Sequence, residues 1–190
     1  SLSKYIDNIV IATSMNDEND PLVETVKTLG YSVFRGSEDN VLDRYYQAAK
    51  KYNADIVIRI TGDCPLIDPE VVDKAINKFK DNKVDYLNNA TPPTFPDGLD
   101  VEIFSFECLS EAWKNSESIY DKEHVTPFIK KNNNYLKSFL TNPINYGNER
   151  LTVDEVEDFQ VIEGIIKFFW PNMHFNLNDI MDLKHKEPSL

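Results

Sequence analysis

Two aspartates, each closing a short apolar run, are the residues best placed for chemistry. Asp63 follows Ile58-Arg59-Ile60-Thr61-Gly62, and Asp154 follows Arg150-Leu151-Thr152-Val153. Single carboxylates converging from two strand ends suit Mg²⁺, which takes oxygen ligands and leaves the rest of its shell to water and phosphate. Such an ion would steady a triphosphate during phosphoryl or nucleotidyl transfer. The same positions also suit plain capping, Asp63 of a turn and Asp154 of the next helix.

The arginines narrow the search. Only Arg35, Arg44, Arg59 and Arg150 stand among 20 basic residues, so lysine carries the ordinary surface charge. Each arginine is a candidate for a planar, bidentate grip on phosphate or carboxylate, or else for a simple ion pair. Asp97, Asp100 and Glu102 gather around Gly98, where they could bind the hydroxyls of a sugar, although Asp97-Gly98 is also a turn signal. His124 beside Glu123 is ambiguous between a packed residue and a site residue. No Ser/His/Asp or Cys/His set is legible, and Cys64 reads as a small buried side chain rather than a nucleophile. No P-loop, zinc spacing or dinucleotide fingerprint occurs.

These residues need a scaffold, and the hydropathy pattern supplies one. Residues 6–14, 31–36 and 54–61 read as short strands, alternating with helices that start near Pro21, Asn40 and Pro69. That alternation predicts βαβ units and a largely parallel sheet. Ligands of such sheets bind beyond the carboxyl ends of the strands, which is where Ser14, Arg35, Asp63 and Asp154 fall. After Asp85 a Pro-rich stretch, residues 88–98, precedes an alternating and therefore half-exposed strand over 99–104. Helices are expected over 106–116 and 122–131, the second broken by Pro127. Late strands are expected over 136–140 and 150–154, then a long helix from Val156 and a short one over 178–184.

Composition excludes several classes. A net charge of −12 repels polymeric nucleic acid and anionic membranes alike. No apolar run is long enough to span a bilayer. Two cysteines suggest free thiols in a reducing compartment, with the cytoplasm as default.

Five ordered runs then carry a resemblance: residues 33–45, 59–68, 95–104, 123–127 and 150–154. Together they closely resemble the spore-coat-polysaccharide cytidylyltransferase-like family, which is similar to the CMP-sugar synthetases for 3-deoxy-manno-octulosonate and sialic acids. The likeness covers about residues 6 to 170. It implies a three-layer, nucleotide-diphospho-sugar-transferase-like (Rossmann-like) α/β fold with helices on both faces of the sheet. The implied reaction is attack of a sugar or sugar acid on the α-phosphorus of CTP, with release of pyrophosphate. Asp63 matches the aspartate of the family's Gly-Asp-x-Pro-Leu segment and Asp154 its second metal aspartate, which makes them the Mg²⁺ ligands. Arg59 joins them as a catalytic cation. Ser14, Arg35 and Arg44 are expected to hold the nucleotide, and Asp97, Glu102, His124 and Arg150 the sugar. One departure is Glu155-Val156-Glu157-Asp158 in place of Thr-Pro-Glu-Asp, which changes the helix cap and adds a carboxylate.

The family also begins with a strand, a triphosphate loop and a helix ahead of the first strand found here. The expectation is therefore a single domain over residues 1–190 that lacks its N-terminal β-loop-α segment, leaves two sheet edges open and turns over weakly by itself. Related synthetases dimerise, and the aromatic tail around Phe168, Phe169, Trp170 and Phe175 could support a homodimer or simply pack as core. A glycosyltransferase of similar shape is disfavoured because Gly62-Asp63-Cys64-Pro65 stands where Asp-x-Asp would be. A non-catalytic binding module is the remaining alternative.

Overall fold

The computed structural model describes residues 4–187. Strand β1 (Val10–Ser14) pairs in parallel with β2 (Ser32–Gly36), and α1 (Asp20–Thr28) connects them. Helix α2 (Val41–Lys51) starts behind Asn40, whose side chain accepts from the Asp43 amide. It leads to β3 (Ile56–Arg59) and then to α3 (Pro69–Asn82). The N-cap of α3 is Asp68, as its position before Pro69 predicts. One Asp68 oxygen accepts from the Glu70 amide at 2.7 Å and the other from the Leu177 amide at 2.9 Å. A single carboxylate thus starts α3 and anchors α8 (Leu177–Lys186) to it.

The remaining elements are β4 (Tyr86–Asn88), β5 (Glu102–Ser105), α4 (Phe106–Asn115), α5 (Ile119–His124), α6 (Pro127–Lys131), β6 (Lys137–Phe139) and α7 (Val156–Phe169). Four strands form one sheet in the order β3-β5-β4-β6. β4 and β6 are parallel, while β5 runs antiparallel to both β3 and β4. The sheet is therefore mostly parallel in direction, with β5 reversed. β1 and β2 form a separate two-stranded sheet, so β1 pairs only with β2 and β3 only with β5 among the described residues.

Helices cover both faces, because neighbouring strand residues point opposite ways. Leu87 and Ile103 face Ile76, Phe79, Ile162 and Ile165 of α3 and α7. Tyr86 and Phe104 face Tyr46, Leu109 and Ile129 of α2, α4 and α6. This corrects one expectation: the alternation over 99–104 predicts a half-exposed strand, whereas Glu102, Ile103 and Phe104 are all buried. The polar position does not face water; it faces cations.

A second correction concerns 150–154, which forms no regular strand. It makes one isolated bridge, Asp97 to Arg150, and hydrogen bonds from Leu151 N to Asp97 O and from Val153 N to Asp63 O. Gly98 permits this close approach. Its φ is +97°, and a Cβ there would lie 2.3 Å from the Leu151 carbonyl carbon. The strand β4 is absent from the sequence reading, being three residues long and running into Asn88-Asn89. The Asn89 side chain extends the pairing where the backbone stops: it donates to Leu99 O and accepts from Val101 N, both at 2.7 Å.

Candidate functional site

The site residues expected from the sequence fall into three neighbouring groups. The first centres on Asp63, just past the end of β3. Its carboxylate receives the Thr61 hydroxyl, and its backbone oxygen receives Val153 N at 2.9 Å and the Thr152 hydroxyl at 3.1 Å. Asp63 is thereby joined to the residue that precedes Asp154. The segments that carry the two aspartates come from separate parts of the chain and are tied together by these two bonds.

Arg150 organises the outer side of this group. Its guanidinium reaches Asp97 at 3.0 Å, Asp154 at 2.6 Å and Asp158 at 2.8 Å. Asp158 also accepts from the amides of Asp154 and Glu155, which caps α7. Arg150 and these two amides hold the Asp158 carboxyl well below the usual range. The departure at residues 155–158 thus keeps a capped helix start. Asp158, common to both patterns, is the carboxylate engaged by Arg150, and the added carboxylate is the N-cap Glu155.

Asp100 lies between this group and the next, close enough to Asp97, Glu102 and Asp63 to feel their charges. Burial, then the charges of Asp97, Glu102 and Asp63, push its carboxyl up to about 6. Carboxylates crowded enough to raise one another's proton affinity are a donor set that a cation would relieve. Among the described residues no three His, Cys, Asp or Glu side chains gather as a metal cage. The arrangement fits Mg²⁺, which takes one or two carboxylates and keeps water or phosphate on its other positions. Cys64 is buried beside Asp63, and burial raises its thiol to about 11, so it stays protonated and unreactive.

The second group centres on Glu102 of β5. Its Oε1 accepts from Tyr86 Oη at 2.5 Å and Thr126 Oγ1 at 2.8 Å, and pairs with Lys130 Nζ at 2.8 Å. Its Oε2 pairs with Arg59 Nη1 at 2.7 Å. Burial pushes the Glu102 carboxyl up, but Arg59 and Lys130 outweigh it and hold the group ionised, below its ordinary value. Burial, reinforced by the Glu102 charge, pushes the Tyr86 hydroxyl the other way, so it remains a donor. His124 ends α5 nearby, its ring 4.4 Å from that of Tyr120. Arg59, Glu102 and His124 line one cavity of about 320 Å³ together with Lys130 and Lys131. Tyr86, Thr126 and Lys130 are not among the residues expected from the sequence. The break at Thr126-Pro127 was the only local hint of them.

The third group holds Ser14, Arg35 and Arg44. Ser14 is buried at the end of β1, and its hydroxyl accepts from Asn19 Nδ2 at 2.7 Å. Arg35 donates to the carbonyls of Ser14 and Asn16 at 3.0 and 2.9 Å and pairs with Asp20 at 2.5 Å. Arg44 donates to Ser37 O at 2.6 Å, and its Nε is buried without a partner. Both forks are engaged with loop backbone at the carboxyl ends of β1 and β2, where they fix the shape of the loops.

A sheet with helices on both faces and polar side chains beyond its strand ends is the layout of a nucleotide-binding α/β protein. Comparison with known proteins agrees. The chain belongs to the cytidylyltransferase family, whose model matches residues 1–180. It is 30% identical to the spore coat polysaccharide biosynthesis protein SpsF of Bacillus subtilis, over 96% of this chain and 76% of that protein. It superposes on a cytidylyltransferase structure from Leptospira borgpetersenii with a TM-score of 0.94 and 34% identity, covering 99% of this chain and 80% of that one. The structure of CMP:2-keto-3-deoxy-manno-octonic acid synthetase complexed with CTP shares the fold, with a TM-score of 0.60 at 12% identity over 86% and 81% of the two chains. Among the described residues no helix is long and apolar enough to cross a membrane.

Proposed function

We propose that this chain works as a CTP-dependent cytidylyltransferase on a sugar or sugar acid destined for polysaccharide, with Mg²⁺ held by Asp63 and Asp154. The observation that supports it most is the backbone hydrogen bond from Val153 N to Asp63 O, which joins Asp63 to the residue before Asp154. When bound, the ion would offset triphosphate charge beside a protein of net charge −12.

In the reaction an acceptor oxygen bonds to the α-phosphorus of CTP, the bond to the β-phosphate breaks, and pyrophosphate leaves. The protein's task is to align the two partners and exclude water. Ser14 and the loop fixed by Arg35 present backbone groups to the nucleotide. Arg59 lines the Glu102 cavity, where the acceptor is held. Glu102 keeps Arg59 in place by its ion pair, and Arg150 ties Asp97 to Asp154.

A second reading, nucleotide or sugar binding without turnover, is favoured by one observation. Arg35 and Arg44, the two forks nearest Ser14, are engaged with backbone carbonyls rather than free for a triphosphate.

Asp63→Asn separates charge from structure, because the link to Val153 uses the Asp63 carbonyl and survives the change. Isothermal titration with CTP and GTP, with and without Mg²⁺, tests the site. Binding that prefers CTP, needs Mg²⁺ and weakens at least about tenfold in Asp63→Asn is expected. Equal CTP binding by the variant would sink the metal assignment. CTP binding without pyrophosphate release in the presence of acceptor would favour the second reading.

A further inference from the structure

Arg150 is expected from the sequence to hold substrate, yet its guanidinium donates to three carboxylates of the protein itself, and the three are not held alike. Asp158 takes the side of the fork: Nε donates to its Oδ1 and Nη2 to its Oδ2, both at 2.8 Å. This carboxylate is only 13% exposed, and its Oδ2 also accepts from the amides of Asp154 and Glu155. A planar two-bond pair of this kind is the firmest contact an arginine makes with a carboxylate. Asp97 and Asp154 are about half-exposed and receive one N–H each, from Nη1 at 3.0 Å and from Nη2 at 2.6 Å.

The difference sets which contact yields first. An exposed ion pair of one bond is weak, because water competes for both partners. Arg150 can therefore release Asp154 and stay anchored on Asp158. The backbone amide of Asp154 is pinned to the same Asp158, so its side chain can turn about χ1 while the segment and the start of α7 stay in place. Around Arg150 three carboxylates face one cation, which leaves the cluster negative and open to a second cation.

We propose that Arg150 is a positioning residue that serves as a stand-in cation: it holds the Asp154 carboxylate while no divalent ion is bound, and yields it to the ion on binding. The proposal rests on the reading of Asp63 and Asp154 as Mg²⁺ ligands. Arg150 competes with free Mg²⁺ for Asp154 and keeps its binding weak. An ion that arrives with a triphosphate brings phosphate ligands of its own and wins that competition.

The chain has four arginines, so their Nε–H signals can be told apart in ¹⁵N-labelled protein. Lysine substitution assigns those of Arg35, Arg44 and Arg59, and Arg150 follows by elimination. In a titration of the nucleotide-free wild type with Mg²⁺, the Arg150 signal should shift along a saturation curve, and Asp154→Asn should abolish the shift. Arg150→Met should bind Mg²⁺ about threefold tighter than wild type, and Asp154→Asn in that background should cancel the gain. A merely structural Arg150 predicts the reverse, since a loosened segment 150–154 would bind the ion less well. The wild-type titration stands even if Arg150→Met does not fold. Saturable shifts of the Asp63 and Asp154 amides with the Arg150 signal unmoved would overturn the stand-in role and leave the metal ligands standing. Equal or weaker Mg²⁺ binding by folded Arg150→Met would do the same. No saturable Mg²⁺ shift in either protein would remove the metal assignment, and the proposal with it.

Discussion

β4 and β5 on one side, and β1 and β3 on the other, are built from the same apolar residue types but sit in different surroundings. Leu87, Ile103 and Phe104 are fully buried, whereas Ile56 of β3 is 40% exposed and Val10 to Thr13 of β1 are only half-buried. β5 has a strand on each edge and helices on both faces. β1 and β3 each have one hydrogen-bonded strand neighbour among the described residues. The number of neighbours, and not the strand's composition, sets how much apolar area leaves water. The site lies where these two kinds of strand meet, with Glu102 on the buried strand paired to Arg59 on the open-edged one.

The contrast is sharpened most by a matched pair of truncations. Ile103→Ala should cost about 4 kcal/mol, since it opens a cavity in a covered core. Ile56→Ala should cost at most about 1 kcal/mol. Urea denaturation measures both, and equal costs would mean that β3 is covered in solution.

Gly98→Ala should come next, at about 3 kcal/mol, from its positive φ and the approach to the Leu151 backbone. Gly62→Ala serves as the control, because a Cβ there meets nothing within 4 Å. Similar losses at the two glycines would show that the 97–98 turn does not hold segment 150–154.

The smallest expected effect concerns Asp100. Its folded-state pKa of about 6 exceeds the ordinary value of 3.8, so the native state holds the extra proton between those values. Stability must then fall as pH rises from about 4 to about 6, and stay lower above. Asp100→Asn should gain about 1–2 kcal/mol at pH 7.5 and nothing at pH 4. Thermal melts at the two pH values provide the check. A variant that loses stability at pH 7.5 would show the charged carboxylate to be favourably paired.

Much of the fold was legible because local signals were strong. Pro69 behind Asp68, Gly30 after α1 and Pro127 at the start of α6 punctuate the helices as their backbone chemistry demands. The misses share a cause. β4 is too short to show a period, and its pairing is continued by the Asn89 side chain rather than by residues that look β-forming. Segment 150–154 alternates like a strand but is held by three separate partners: Asp97, Asp63 and Asp158. Within the site, Asp63, Asp154, Arg59, Glu102 and His124 stood out by type and position. Tyr86, Thr126 and Lys130 did not, because a tyrosine in a strand or a lysine on a helix is unremarkable until a buried carboxylate faces it.

The sequence by itself determined the alternation of strands and helices, the strand ends at which polar residues emerge, and the family to which those residues point. These follow from periodicity and short-range steric rules that operate within a few residues. Tertiary structure alone decided which carboxylates share a neighbourhood, which arginines are already engaged, and that Glu102 is buried among cations instead of facing solvent. Charge and burial depend on groups far apart in the chain, Glu102 with Arg59 and Lys130, Asp63 with Val153, and no local pattern encodes their distance.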